Sequence, residues 1–499
     1  MPPTSHPVPI PPKARWLALS LLPLVLFGPY YVYDLPGATN RKLQNVWKGQ
    51  EEGAESAWQL WFGSLYIAHF LPNIFMPFVS VWLIKLVGPR ALLAVLVTVA
   101  WAGSAMFAFG VQHATFAAMI GGRLILGLAA ELLGVAQAGL SRRWVHDDAG
   151  LVSTLEWNLF VARLASILND VISPALAASP GATESSSAWV GSVTCMVSLL
   201  AGLVVFALDW STFGREPESE DKPGEETTAS SEPSTETVPP LPTQFYLLTA
   251  SMLCLAGSTI PFINVASNYA YRHGTNDPVL AGALMAIPDV ICVISRPMWA
   301  SLLDSGSRGG TPFRHVGRAL FASGVLIVAA HLCLSGPAPI IGLVLLGIGH
   351  SLCSKIWPLI ALAVPKGRDV PGSFAIATAL MNSSLALGSL LVACAAATDP
   401  SYTSTNIILS GLATAGALLG AALDLADINF VAPKPESEEH HQASVSLEEP
   451  VQGASASGDV LRRRTWGSRV SYEVYIPEAG MIRMDVGEDE GERGVSWSY

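Results

Sequence analysis

Long apolar runs alternate with short polar segments along most of the chain. The runs lie at about 15–34, 58–83, 91–110, 114–140, 150–177 and 188–210, and after a polar interval at about 244–271, 279–303, 315–335, 339–364, 371–397 and 404–430. A helix needs about 20 apolar residues to cross the hydrocarbon core of a bilayer. The pattern therefore predicts an all-α polytopic membrane protein, with twelve transmembrane helices in two six-helix bundles.

The composition agrees with a membrane protein, and the charge lies outside the apolar runs. Of 499 residues 51% are hydrophobic and 13% charged, with a mean hydropathy of +0.43, whereas soluble domains have roughly 25% charged residues. The net charge is -11, and acids exceed bases by six both in residues 211–243 and in the tail after residue 432. The apolar body is therefore almost neutral, and we expect a lipid bilayer and no nucleic acid among its partners.

The polar segments divide the chain and predict its orientation. We expect a disordered N-terminus (1–14), a first bundle (15–210), an acidic linker (211–243), a second bundle (244–432) and an acidic, mostly disordered tail (433–499). If the N-terminus is cytoplasmic, the cytoplasmic loops contain eleven Lys and Arg residues and the opposite loops four. Positive charge favours the cytoplasmic side, so both termini are predicted to be cytoplasmic.

Ionisable residues within the apolar runs are the candidates for chemistry. Glu131 lies in the fourth run and Arg163 in the fifth, where Glu156, Arg163 and Asp170 are spaced by seven and share one helix face. A charge facing lipid costs about 2.5–3.5 kcal/mol, so this face should line a cavity or another helix. Two interpretations remain open. Glu131 and Arg163 form a structural ion pair, or they separate in a wet cavity to bind the ammonium and the carboxylate of a small zwitterion.

Four further residues are candidates for gating or coupling. Six spans, a linker and six spans are the plan of the major facilitator superfamily, and Arg123-x-x-x-Gly127 resembles a signature that this superfamily links to gating or proton coupling. Lys85 follows the second span and Asp304 the eighth, where the superfamily carries a charged gating loop; Ile84 replaces an expected aspartate in the first copy. The alternative is that these are ordinary loop charges.

Several strings, taken in order, indicate a closer resemblance. They are Gly28–Pro36, Pro72-Asn73, Gly122–Gln137, Ala162-Arg163, Ile260–Ile263, Ile294–Pro297 and Trp357–Pro365. Together they resemble the animal lysosomal dipeptide transporters of the major facilitator superfamily, over about residues 15–430.

The resemblance implies uniport of dipeptides out of the lysosome or vacuole by alternating access. It assigns the peptide's amino terminus to Glu131 and its carboxylate to Arg163. Trp357 and Asn382 match the second-half cavity wall, and Tyr33 matches an aromatic residue of the first span. It also implies a glycosylated accessory membrane protein that stabilises the transporter.

Departures from the resemblance keep other functions open. Glu156, Asp170, Asp289 and Lys355 are charged where neutral residues are expected, and neither terminus carries a clear acidic dileucine sorting signal. The rival is a proton-coupled symporter of organic anions or peptides, in which Glu131, Glu156 or Asp289 titrates. A third class is a receptor or scaffold that signals through the acidic tail.

The sequence gives no sign of catalysis or of a cofactor. It contains no nucleophile elbow, no phosphate-binding glycine loop and no HExxH motif. All six cysteines lie inside apolar runs without metal-ligand spacing. We therefore expect no enzymatic activity, no metal and no cofactor.

Overall fold

Most of the chain forms α-helices long enough to cross a membrane. The computed structural model describes residues 11–48, 55–145, 148–183, 185–214, 239–273, 275–306, 316–365, 370–428, 469–476 and 480–487. In these ranges eleven helices are long and apolar enough to span a bilayer, and a pair bent by 41°, Ser56–Ile74 with Met76–Ile84, makes a twelfth. The predicted all-α polytopic membrane body is confirmed.

In the described residues, the first half contains seven helices that form six spans. They are α1 (Pro12–Ala38), α2 (Asn40–Lys48), α3 (Glu55–Phe70), α4 (Met76–Gln112), α5 (Phe116–Trp144), α6 (Asp148–Ala178) and α7 (Ser186–Phe213). A short 3₁₀ turn, Pro72–Ile74, joins α3 to α4. Inside α4, Gly88 has φ 73° and ψ 157° and precedes Pro89. Glycine tolerates this positive φ, and the chain turns there from the second span into the third.

The described part of the second half has eight helices, and several of its spans are broken. They are α8 (Thr243–Ile263), α9 (Ala266–His273), α10 (Pro278–Met285), α11 (Ile287–Gly306), α12 (Val316–Ser335), α13 (Pro339–Ile356), α14 (Val370–Thr398) and α15 (Thr403–Ile428). A 3₁₀ helix, Trp357–Ala363, follows α13 directly. The tenth span therefore changes geometry at Trp357-Pro358, as its proline predicts.

The tail contains a hairpin that the sequence pattern did not predict. Strand β1 (Arg469–Ile476) pairs antiparallel with β2 (Gly480–Gly487), and Tyr472 lies opposite Met484. The sequence predicts a mostly disordered tail, without regular structure at these positions. The all-α description thus applies to the membrane body alone.

Glycines allow close helix crossings in both halves. A Cβ on Gly122 of α5 would lie 2.5 Å from the backbone nitrogen of Phe107 in α4. A Cβ on Gly317 of α12 would lie 2.5 Å from the backbone nitrogen of Asp424 in α15. Small residues let membrane helices approach to backbone contact, so both crossings depend on the missing side chain.

The two halves meet tightly at one end of the bundle. We call the end where α7 stops and α8 starts the linker face, and the opposite end the far face. At the far face a Cβ on Gly63 would lie 2.5 Å from the Cβ of Ala393, and one on Gly282 would lie 2.5 Å from the carbonyl oxygen of Asp170. A pocket of about 10 Å³ remains between the halves there, room for roughly one water. The far face is closed.

Candidate functional site

Glu131 and Arg163 lie halfway along two consecutive spans. Each is 15 residues after the first residue of its helix, Phe116 in α5 and Asp148 in α6. At 1.5 Å per residue this places both side chains about 22 Å from a helix end. Both ionisable groups therefore sit near the middle of the membrane.

Arg163 contacts the second half of the protein through Asp289. Its Nη1 lies 3.4 Å from Oδ1 of Asp289 on α11, and its guanidinium lies 5.8 Å from the ring centroid of Tyr30. Asp289 is buried, whereas the Arg163 side chain is 27% exposed. A strong charge-assisted hydrogen bond measures about 2.7–2.9 Å, so this is a loose, single contact that leaves other guanidinium donors available.

Glu131 also faces the second half, through Asn382 of α14. Asn382 Nδ2 donates to Glu131 Oε1 at 3.5 Å and to the carbonyl oxygen of Thr378 at 3.0 Å. Asn382 is buried, and its Oδ1 has no hydrogen-bond partner within the described residues. The Glu131 side chain itself is exposed. Its carboxylate thus lies in an accessible gap between the two halves.

The two charges share this gap without neutralising each other. No ion pair within 4 Å joins Glu131 to Arg163 in the part of the chain that the structure describes. Tyr30 of α1 interacts electrostatically with both. The structural-pair interpretation is therefore not what the structure shows. A separated acid and base in one gap can receive the ammonium and the carboxylate of a single solute.

Tyr33 and Trp357 both take part in aromatic packing. The Tyr33 hydroxyl contacts Oδ1 of Asn264, across the two halves, at 3.4 Å, and its ring meets Tyr66 edge-on with centroids 5.8 Å apart. Trp357 meets Phe374 edge-on with centroids 5.5 Å apart. Direct contact of either ring with a solute remains a prediction.

Arg123 and Gly127 fix α5 against its neighbours in the first half. The fully buried Arg123 donates to the carbonyl oxygens of Val32 at 3.0 Å and Leu65 at 3.3 Å. A side chain on Gly127 would overlap the carbonyl group of His69. These contacts tie α5 to α1 and α3, and a gating or coupling role for either residue remains a prediction.

An ion-pair cluster lies at the linker face, next to the first predicted gating loop. The side chains of Lys85 and Asp304 lie outside the described part of the structure, so their predicted role is untested. Nearby, Arg90 lies 3.5 Å from Asp209 and donates to the carbonyl oxygen of Gly214 at 2.8 Å. Sequence reasoning missed Asp209, although an acid in the last turn of an apolar span is a signal for a buried charge pair.

Glu156 connects the halves between Arg163 and the linker face. Its carboxylate lies 3.3 Å from Nζ of Lys355 and 3.3 Å from Nε of Arg296. Both partners belong to the second half. The face of α6 that carries Glu156 and Arg163 therefore faces other helices, as the seven-residue spacing predicted.

Sequence reasoning missed Asp34, which is buried in α1. An acid inside an apolar span is the signal that indicates such a residue.

Comparison with known proteins assigns the family. The model of the Major Facilitator Superfamily matches residues 53–393. The chain belongs to the Major Facilitator Superfamily. It is a membrane transporter and not an enzyme, in agreement with the sequence prediction.

Individual superfamily members show how far the similarity extends. The human lysosomal dipeptide transporter MFSD1 is 24% identical over 390 residues, which are 76% of this chain and 79% of the human one. A solved D-xylose-proton symporter aligns with a TM-score of 0.59 at 16% identity, covering 81% of this chain and 96% of its own. A variant of the nucleoside transporter NupG aligns with a TM-score of 0.57 at 15% identity, covering 81% and 99%. The solved structures support the major facilitator fold.

Proposed function

We propose that this transporter is a dipeptide uniporter that exports dipeptides from the lysosome or vacuole by alternating access between its two halves. Glu131 binds the peptide's ammonium group and Arg163 its carboxylate. The supporting observation is the placement of this acid and this base in one gap at mid-depth, each touching the other half of the protein. A zwitterion matches such a pair, whereas a simple sugar offers no charge.

The contacts of the two residues explain how binding could be linked to closure. Asn382 and Asp289 reach Glu131 and Arg163 from the second half at 3.5 Å and 3.4 Å. Both contacts are long for hydrogen bonds, so a bound peptide can replace them while keeping the halves connected. Trp357 then lines the second-half wall of the site and Tyr33 the first-half wall.

The cellular setting of the proposal comes from the relatives. The similar human protein is named as lysosomal and as a dipeptide transporter, and we extend both properties to this chain. With both termini cytoplasmic, the far face lies toward the lumen. The predicted glycosylated accessory membrane protein belongs to the same proposal.

Uptake of labelled dipeptides into proteoliposomes tests the proposal. Wild-type protein should take them up, and Glu131→Gln and Arg163→Ala should each weaken apparent affinity by about 10- to 150-fold, because a hydrogen bond to a charged group contributes about 1.5–3 kcal/mol. Asp424→Asn is the matched control, since Asp424 pairs with a 63% exposed arginine at the linker face. No uptake by wild type, or full uptake by both site variants, contradicts the proposal.

Peptides with blocked ends assign each charge to its residue. An N-acetylated dipeptide lacks the ammonium group, so it should compete poorly with the labelled dipeptide for wild-type protein. In Glu131→Gln it should compete as well as the unblocked peptide. A dipeptide amide lacks the carboxylate, so it should compete poorly in wild type and as well as the unblocked peptide in Arg163→Ala. If each blocked peptide loses the same affinity in both variants, the assignment of the two peptide ends to Glu131 and Arg163 is wrong.

Proton-coupled symport of organic anions or peptides is the second candidate function. The observation in its favour is the buried carboxylate of Asp289 at Arg163. A pH gradient that drives accumulation above equilibrium would support symport over uniport.

Deleting residues 433–499 separates a carrier from a scaffold that acts through its tail. A carrier should keep its transport activity, whereas the scaffold would lose its function.

A further inference from the structure

Two cations of the second half share a single carboxylate of the first half. Glu156 of α6 lies 3.3 Å from Nε of Arg296 through one oxygen and 3.3 Å from Nζ of Lys355 through the other. The side chains are 43% exposed for Glu156, 19% for Arg296 and 27% for Lys355. Strong charge-assisted hydrogen bonds measure about 2.7–2.9 Å, so both cations keep donors for another anion. Two cations against one carboxylate leave this group with an excess positive charge.

Packing between α11 and α13 holds the two cations side by side. The Ser351 hydroxyl of α13 donates to the carbonyl oxygen of Cys292 in α11 at 3.0 Å. Arg296 follows Cys292 by four residues and Lys355 follows Ser351 by four, which is about one helical turn in each case. Arg296 and Lys355 therefore lie one turn beyond a fixed contact, on one wall of the second half.

Helices α6 and α11 meet at two levels along the gap. Arg163 contacts Asp289 at the first level, and Glu156 contacts Arg296 at the second. The two levels are seven residues apart on both helices, about 10.5 Å at 1.5 Å per residue. Because α6 begins and α11 ends at the linker face, the level of Glu156 and Arg296 lies nearer to that face.

Arg296 shares its surroundings with the two residues that are proposed to bind the peptide ends. Tyr30 of α1 interacts electrostatically with Glu131, Arg163 and Arg296. His350 of α13 interacts in the same way with Arg163 and Arg296. A peptide held between Glu131 and Arg163 is thus within electrostatic range of Arg296.

The charges on the two sides of Arg163 are opposite in sign. Toward the far face, Asp170 lies two turns along α6 and is fully buried, and Asp34 of α1 is buried as well. Toward the linker face lie the partly exposed Arg296 and Lys355. An acidic side chain next to Arg163 is therefore repelled on the first side and attracted on the second.

We propose that Arg296 and Lys355 form a second anion subsite of the gap, which binds the side-chain carboxylate of an acidic residue at the C-terminal position of the peptide. This inference rests on the proposed function and names the class of dipeptide that the site prefers. The two carboxyl carbons of a glutamate are four C–C bonds of about 1.5 Å apart. With one carboxylate on Arg163, the other points along α6, where the long side chains of Arg296 and Lys355 meet it.

Competition with labelled dipeptide uptake into proteoliposomes tests the subsite. Alanyl-glutamate and alanyl-glutamine differ in the side-chain carboxylate, which is ionised at pH 7 because its ordinary pKa is about 4.3. Wild type should bind alanyl-glutamate about tenfold more tightly, the low end of the range for a hydrogen bond to a charged group. Glutamyl-alanine carries its side-chain carboxylate on the residue held at Glu131, so it should gain nothing over alanyl-alanine.

Variants should change the preference for alanyl-glutamate in opposite directions. Lys355→Met combined with Arg296→Met removes both positive charges and should bind the two peptides equally. Glu156→Gln removes the competing carboxylate and should raise the preference by about two- to fivefold. Arg318→Met is the matched control, since Arg318 is 63% exposed and pairs with Asp424 at the linker face, and it should keep the wild-type preference. Each comparison is a ratio of two peptides in one protein, so a shift between open and closed states cancels.

The outcomes separate the subsite from the proposed function. Equal binding of alanyl-glutamate and alanyl-glutamine by wild type overturns the subsite and leaves the proposed function standing, and this measurement does not depend on any variant folding. A preference that persists in the double variant, or that is lost in Arg318→Met, also overturns the subsite. An equal gain for glutamyl-alanine overturns the assignment to the C-terminal position. Failure of every dipeptide to compete contradicts the proposed function as well.

Discussion

Gly282 offers a way to force the far face open. This residue of α10 lies against α6, where a Cβ would overlap the ring of Pro174 and lie 2.5 Å from the carbonyl oxygen of Asp170. Alternating access requires α6 and α10 to separate when the far face opens. Gly282→Ala therefore clashes only in the closed state and should shift the protein toward the open one.

The size of the shift follows from the overlap. Ordinary van der Waals contact begins at 3.4 Å, and the added Cβ would be 2.5 Å from the oxygen, a shortfall of 0.9 Å. One extra methyl group forced into a packed interface costs about 1–3 kcal/mol. If opening relieves that cost, the ratio of open to closed protein rises by about 5- to 150-fold.

Cysteine labelling can measure this ratio. Ala177 is 4% exposed and lines a pocket of about 20 Å³ between the halves at the far face, so Ala177→Cys should react with a polar maleimide mainly in the open state. Cys394 is the exposed native cysteine and is replaced by alanine in the background. The labelling rate of Ala177→Cys should rise with the open population when Gly282→Ala is added.

A second glycine provides the control. Gly411 of α15 has nothing within 4 Å of its ideal Cβ, so Gly411→Ala should leave the labelling rate unchanged. An unchanged rate in a folded Gly282→Ala protein would refute the assignment of this contact to the closed state. Equal acceleration by both substitutions would show that the effect is general loosening.

Three further substitutions test other contacts. Glu156→Gln removes two half-exposed ion pairs on the linker side, worth about 0.2–1 kcal/mol each, and should slow labelling of Ala177→Cys about two- to thirtyfold; faster labelling would contradict this. Arg123→Lys loses at least one charged hydrogen bond, about 1.5–3 kcal/mol, and should lower the melting temperature without changing peptide affinity. The Ser401 hydroxyl and nearby backbone N–H groups lower the pKa of Asp399 to about 2. A carboxyl group whose pKa is lower in the folded than in the unfolded protein stabilises the fold at pH values above its unfolded pKa. The difference in melting temperature between wild type and Asp399→Asn should therefore disappear as pH falls from about 4 to about 2.

The apolar pattern alone determined the membrane architecture. Runs of about 20 apolar residues must become helices in a bilayer, since each backbone polar group needs an internal partner. The number of spans follows from this rule, and Pro358 accounts for the change of geometry after α13. Glu131 and Arg163 were also identified by sequence, because a charge in an apolar run must face a cavity or a partner.

Only the tertiary structure decided the partners of those charges. Periodicity gives the face of a helix on which a residue lies, but it does not specify which helix of the other half packs against that face. Arg163 meets Asp289 126 positions away along the chain and Glu131 meets Asn382 251 positions away. These pairings depend on how the two halves pack together, and that packing is determined by many small contacts at a distance from the site. The sequence therefore identified an acid and a base at mid-membrane, and the packing of the halves showed that they are separate and that one of them already holds an internal carboxylate.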